Sequence, residues 1–60
     1  MDKTIITKAI LWDIRERQGL LRSAITKAAN AGSMPIKATH IATASSYFAE
    51  IKQLLARLPQ

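Results

Sequence analysis

The apolar residues of this chain fall into two stripes with helical spacing, joined by one short loop. In the first half the intervals alternate between four and three residues, and the stripe runs Ile10, Ile14, Arg17, Leu21, Ala24, Ala28 and Ala31. In the second half the same alternation runs His40, Ala44, Tyr47, Ile51, Leu54 and Leu58. Residues at these intervals share one face of an α-helix. The pattern predicts an all-α protein, a two-helix antiparallel hairpin that occupies residues 1–60 as one unit.

Residues with known preferences for helix ends support this division. Asp2 or Thr4 is expected to cap the first helix, because a side-chain oxygen there accepts a bond from a free backbone N–H. Gly32 is expected to follow that helix in a left-handed conformation, which costs glycine little. Ser33 is expected to cap the second helix. The predicted elements are a helix over about residues 4–31, a loop over 32–35 and a helix over about 36–57.

Gly19 is the weak point of the first helix. A glycine in a helix interior costs roughly 1 kcal/mol relative to alanine, and a break at this position would give three helices. The alternation of four and three residues passes through Gly19 without a shift. A continuous or gently bent helix is therefore the prediction.

The short length of the chain predicts a homodimer. A chain of 60 residues buries only about 60% of its unfolded surface, and such domains usually need a disulfide, a metal or a partner. There is no cysteine and only one histidine, so no metal site is expected. A second copy would complete a four-helix bundle. The predicted core consists of Ile6, Ile10, Ile14, Leu21, Ile25, Ala28, Ala44, Tyr47, Phe48, Ile51, Leu54, Leu55 and Leu58.

No stretch of the sequence predicts a membrane span. The longest uninterrupted apolar run is four residues, 9–12, whereas a transmembrane helix needs about 20. No signal peptide is visible either, since charged residues interrupt the first segment. We therefore expect the protein in the cytoplasm.

Catalysis has little support in the sequence. The chain has only four carboxylates, and Asp13 and Glu16 are the only two at helical spacing. No histidine, lysine or nucleophile is paired with them, and no glycine-rich phosphate loop is present. The chain is predicted not to be an enzyme and to use no cofactor.

Three residues do not fit the apolar pattern of the stripes and are the candidate partner-binding residues: Ile5, Trp12 and Arg17. Trp12 and Ile5 lie off the first stripe, on a face that either the other protomer of a dimer or a target protein would cover. Arg17 lies inside it, where an unpaired charge is costly. Two readings of Arg17 stay open: an ion pair with Asp13, joined by Glu50, or a site for an acidic partner. The leading hypothesis is a small regulatory or adaptor protein acting through protein–protein contacts, such as a phage- or plasmid-type modulator.

The alternative hypothesis is binding of RNA or DNA. The net charge is +5, and Lys8, Arg15 and Arg22 recur every seven residues, so that they line one edge of the first helix. A row of this kind can follow a phosphate backbone, but it is also typical of a solvated helix face. Action at a membrane surface through a basic amphipathic helix is the least favoured reading.

Overall fold

The computed structural model describes residues 2–59 and consists of two α-helices packed against each other. Helix α1 spans Lys3–Asn30 and helix α2 spans Met34–Ala56. The prediction of an all-α, two-helix hairpin is confirmed. The molecule is a rod with extents of 48 × 15 × 12 Å. In the described part of the chain, neither helix has the length and apolar character that a membrane span requires.

Side-chain caps set the start of each helix. The backbone N–H of Thr4 donates to the Asp2 carboxylate at 2.9 Å, so Asp2 is the cap of α1 and Thr4 lies inside the helix. The backbone N–H of Ile36 donates to the Ser33 hydroxyl at 3.4 Å. Pro35 lies in the first turn of α2, where its missing N–H leaves no helical bond unmade. The two predicted roles of Asp2 and Ser33 are confirmed.

The loop reverses the chain without a left-handed residue. After Asn30 the backbone is extended at Ala31, with φ −69° and ψ 136°, and the Ala31 N–H donates to the Ala28 carbonyl at 3.3 Å. Ser33 is also extended, with φ −140° and ψ 155°. The predicted left-handed Gly32 was wrong, because no glycine in the described residues has a positive φ. The extended residues on either side of Gly32 make the reversal instead.

Helix α1 runs through Gly19 without interruption, which confirms the prediction of a continuous helix. A Cβ built at Gly19 would meet no atom within 4 Å. The glycine is therefore not needed for a close approach between the two helices.

The best-buried side chains form a small cluster between the helices. Ile14 of α1 packs with Ile51 and Leu54 of α2, and Ile10 and Leu21 lie against them. Toward the loop the buried positions of α1 are alanines, Ala24 and Ala28. The larger side chains of the interface therefore lie in the half of the rod that is remote from the loop.

Several predicted core residues lie outside this cluster. Ile25, Phe48 and Leu55 are exposed in the single chain, so the hairpin alone does not bury them. Two helices bury only the seam between them, roughly two positions in each heptad, and these three occupy the next apolar position around the helix. Ala24 is buried but was left out of the predicted core. Besides Ile10 and Leu21, the half-buried members of the predicted core are Ile6, Ala44, Tyr47 and Leu58.

Candidate interaction surfaces

One side of α2 carries a line of large exposed apolar residues. Met34, Ile41, Phe48 and Leu55 recur every seven residues, which is two helical turns, so they lie along one side of the helix. All four are exposed, with Phe48 at 55% of its full surface. The line is adjacent to the buried seam and extends along most of α2.

A matching line on α1 lies on the same side of the hairpin. Leu11, Gln18 and Ile25 also recur every seven residues and are exposed. Leu11 and Gln18 line the same groove as Leu55 of α2, which places the two lines on one broad side of the rod. We call this surface the apolar face, and it consists of Leu11, Gln18, Ile25, Met34, Ile41, Phe48 and Leu55.

The apolar face has cations at its margins. Lys52 Nζ lies 5.8 Å from the centre of the Phe48 ring, in the range of a cation–π contact. On the α1 side, Arg15 borders the face and lines a groove with Leu11 and Leu55. Gln18 is the one polar member of the face, and it lies midway along the α1 line.

A separate side of the hairpin carries a polar depression that shares no lining residue with the groove beside Leu55. Arg17 and Glu50 meet there, with Arg17 Nε 3.9 Å from Glu50 Oε2. The guanidinium of Arg17 also donates to the backbone carbonyl of Asp13 at 3.2 Å. Gln53 and Arg57 line the same shallow depression as this pair. We call this side the polar face.

A second feature lies at the rim of the apolar face, in the half remote from the loop. It is a shallow groove in which an exposed tryptophan lies between two cations. Trp12 keeps 62% of its surface exposed, with Lys8 one turn before it and Arg15 one turn after it on α1. We call this surface the Trp12 groove, and it is lined by Lys8, Leu11, Trp12, Ile14, Arg15, Gln18 and Leu55.

The structure brings together some of the predicted site residues and separates others. Trp12, Lys8 and Arg15 all line the Trp12 groove. From the sequence, Trp12 was a candidate for protein contacts, whereas Lys8 and Arg15 were candidates for nucleic-acid contacts. Arg22 lines a separate depression further along α1. Ile5 is exposed two turns before Trp12, on the same side of the helix.

Arg17 lies apart from the other candidate partner-binding residues. It is five positions from Trp12, which turns its side chain about 140° around the helix. Its guanidinium contacts Glu50 and the Asp13 carbonyl within the hairpin. These contacts favour the structural interpretation of Arg17 over a site for an acidic partner. They differ from the predicted ion pair in that Asp13 contributes its backbone carbonyl rather than its carboxylate.

Sequence reasoning missed the apolar face as a surface. Apolar residues recur every seven positions from Met34 to Leu55, and this spacing in the sequence is the signal that identifies the apolar face. Phe48 and Leu55 had been assigned to the core, so the line to which they belong was not recognised.

The described residues offer few groups for chemistry. Within residues 2–59, no three His, Asp or Glu side chains lie together as a set of metal ligands. Comparisons with protein-family models, with curated proteins and with solved structures found no match to this chain. We therefore infer function from the surfaces themselves.

Proposed function

We propose that this chain is a small, non-enzymatic adaptor or regulatory protein that acts through protein–protein contacts at the Trp12 groove. The observation that carries the proposal is the exposure of Trp12, at 62%, between two cationic side chains. Tryptophan and arginine are enriched among the residues that dominate binding energy at interfaces. A large aromatic side chain left in water on a small scaffold favours a binding role.

The chemistry of the groove indicates the kind of partner. Trp12 supplies apolar contact area, while Lys8 and Arg15 place positive charge beside it. An amphipathic helix with apolar residues on one side and carboxylates beside them would complement both features. The polar lining residues are two cations and the amide of Gln18, a set without a general base. This supports the proposal of a binding site rather than a catalytic one.

Capture from lysates of the source cells tests the role of Trp12. Wild type should retain a protein that Trp12→Ala loses, because truncating a central aromatic anchor typically costs 2 kcal/mol or more, about 30-fold in affinity. Leu20→Ala is the matched control, since Leu20 is also an exposed apolar residue of α1. Recovery of the same proteins by wild type and Trp12→Ala would contradict the proposal.

Charge reversal at the groove tests the acidic character of the partner. Arg15→Glu should release the captured protein, because the new carboxylate would face the partner's acidic groups. Glu16→Lys, at the next position of α1, is the control for a change of charge outside the groove. If Arg15→Glu retains the partner as well as wild type does, the proposed acidic chemistry is wrong.

We also propose that the protein works as a homodimer assembled as a four-helix bundle. Within residues 2–59 no side chain is wholly shielded from solvent, and both helices leave large apolar side chains exposed. In a bundle each helix contacts two neighbours, so that a wider apolar stripe is buried than in an isolated hairpin. Light scattering coupled to size exclusion, over a range of concentrations, measures the mass that distinguishes monomer from dimer.

Nucleic-acid binding is the second candidate, favoured by the row of Lys8, Arg15 and Arg22. All three are exposed along α1, and among the described residues their side chains form no ion pair. Successive members are separated by about 10 Å along the helix. In a dimer the row would be present twice.

A salt series separates this candidate from the first one. If phosphates are bound, affinity for a generic RNA or DNA duplex should fall steeply with salt, and glutamine at the three positions should reduce the slope. A control variant removes the same charge at other exposed positions: Lys27→Gln, Lys52→Gln and Arg57→Gln. The absence of binding at low salt, or equal loss in both variants, would exclude the row as a specific site.

A further inference from the structure

We infer that the apolar face is the surface through which two copies of this chain pack against each other. The inference rests on the proposed homodimer and names its interface. It leaves the polar face, with Arg17 and Glu50, on the outside of the assembly. The apolar face shares Leu11, Gln18 and Leu55 with the Trp12 groove, so the second copy covers that part of the groove. Trp12, Lys8 and Arg15 stay at the margin of the contact, where a partner can reach them.

The exposed area of the chain supports a missing partner of defined size. The chain exposes 4718 Å², whereas a compact monomer of 6.6 kDa is expected to expose about 3,900 Å². The excess is about 800 Å². A standard-size protein interface removes roughly 800 Å² from each partner. One interface of standard size would therefore lower the exposed area of each chain to the value expected for its mass.

The position of the apolar face on the rod matches a bundle contact. Each heptad of a bundle helix uses a third apolar position beside the two of the seam. Ile25, Phe48 and Leu55 occupy this position and are exposed in the single chain. A second hairpin laid on this side would bury them and would extend the core that now consists mainly of Ile14, Ile51 and Leu54.

A second copy fits this face better than an acidic protein does. The middle of the face carries no charge, and its cations, such as Arg15 and Lys52, lie at the margins. An acidic partner would therefore find no counter-charge over most of the face. The Trp12 groove, by contrast, offers two cations around one aromatic ring.

The spacing along each helix also suits contact of the face with itself. On α1, Leu11 and Ile25 lie seven residues on either side of Gln18. On α2, Ile41 and Leu55 lie seven residues on either side of Phe48. Each helix therefore presents bulky aliphatic side chains at intervals of seven residues, and Met34 extends the α2 line toward the loop. Contact across a two-fold axis requires a self-complementary patch, and a face that is apolar on both helices can pack against a copy of itself.

Matched glutamate substitutions at adjacent positions test the interface. Wild type should sediment at about twice 6.6 kDa. Phe48→Glu should raise the dissociation constant of the dimer at least about 100-fold, because it places an unpaired charge in the contact. Ala49→Glu introduces the same side chain one position away, where it leaves the face, and should stay within about threefold of wild type. A second pair, Ile41→Glu and Ala42→Glu, repeats the comparison.

Radical footprinting of the wild-type chain covers the case in which Phe48→Glu fails to fold. Labelling of Phe48 should fall severalfold between dilute and concentrated protein, while labelling of Leu20 should not change. A wild-type monomer at every concentration would overturn the inference and the homodimer together. A dimer in which Phe48 stays labelled, or in which Phe48→Glu and Ala49→Glu behave alike, would overturn the interface alone. The Trp12 capture experiment tests Trp12, which lies outside the apolar face, and its failure would leave the sedimentation result standing.

Discussion

Arg17 Nε lies 3.9 Å from Glu50 Oε2, and this ion pair connects α1 to α2 across the polar face. Both side chains remain in contact with solvent, at 30% exposure for Arg17 and 45% for Glu50. Water therefore screens the attraction between them. The second contact of Arg17, to the Asp13 carbonyl, holds the side chain close to its own helix.

Glu50→Gln is expected to lower the free energy of unfolding by no more than about 1 kcal/mol, because exposed ion pairs contribute little and are screened by salt. Chemical denaturation in low and high salt measures the change, and a double-mutant cycle with Arg17→Met isolates the pair. A loss of several kcal/mol that persists in high salt would instead indicate that the pair is buried in the assembly.

Leu54→Ala is expected to cost roughly 2–5 kcal/mol, since Leu54 belongs to the buried cluster and its truncation leaves a cavity. A chain of this size has only a few kcal/mol of stability, so the variant should unfold at a much lower urea concentration than wild type. Leu20→Ala, at an exposed position of α1, should change stability by less than about 0.5 kcal/mol. Urea titrations followed by circular dichroism give both values. Equal costs would contradict the burial pattern.

Gly19→Ala is expected to stabilise the protein by about 1 kcal/mol, because alanine is the better helix former and restricts the unfolded chain. The added methyl group meets no atom within 4 Å and the backbone there is helical. Thermal unfolding should show a higher midpoint. A lower midpoint would mean that another chain approaches α1 closely at this glycine.

Gln18→Leu is expected to tighten the homodimer by about tenfold, because an amide in an apolar contact keeps few of its hydrogen bonds to water. Sedimentation of the variant and of wild type at matched concentrations measures the difference. Gln53→Leu, the same substitution at an exposed position of the polar face, controls for added hydrophobicity. Weaker association of Gln18→Leu would show that the amide pairs within the interface.

The architecture could be predicted because periodicity and helix ends act locally. The alternation of three and four residues defines the face of each helix, and the roles of Asp2 and Ser33 follow from their neighbours in the chain. Gly32 shows the limit of local reasoning. Its sequence context suits a left-handed cap, but the extended backbone at Ala31 had already turned the chain out of the helix.

The candidate surfaces were harder to predict because they depend on which apolar positions two helices can cover. Phe48 and Leu55 are as hydrophobic as Ile51 and Leu54, and only their angle around the helix separates exposed from buried positions. The meeting of Trp12 with Lys8 and Arg15 was visible in their spacing, but Leu55 joins them only through the packing of α2.

The location of the buried cluster also bears on how the chain folds. Ile14 meets Ile51 and Leu54, residues about 40 positions away along the chain, and closing a segment of that length is entropically costly. Near the loop the buried side chains of α1 are alanines, Ala24 and Ala28. Contacts formed there early in folding therefore bury little apolar area. If the two helices paired progressively from the loop, little apolar area would be buried until the turns that contain Ile14, Ile51 and Leu54 came into contact. We therefore expect one cooperative transition, with the loop serving as a tether rather than as a nucleus.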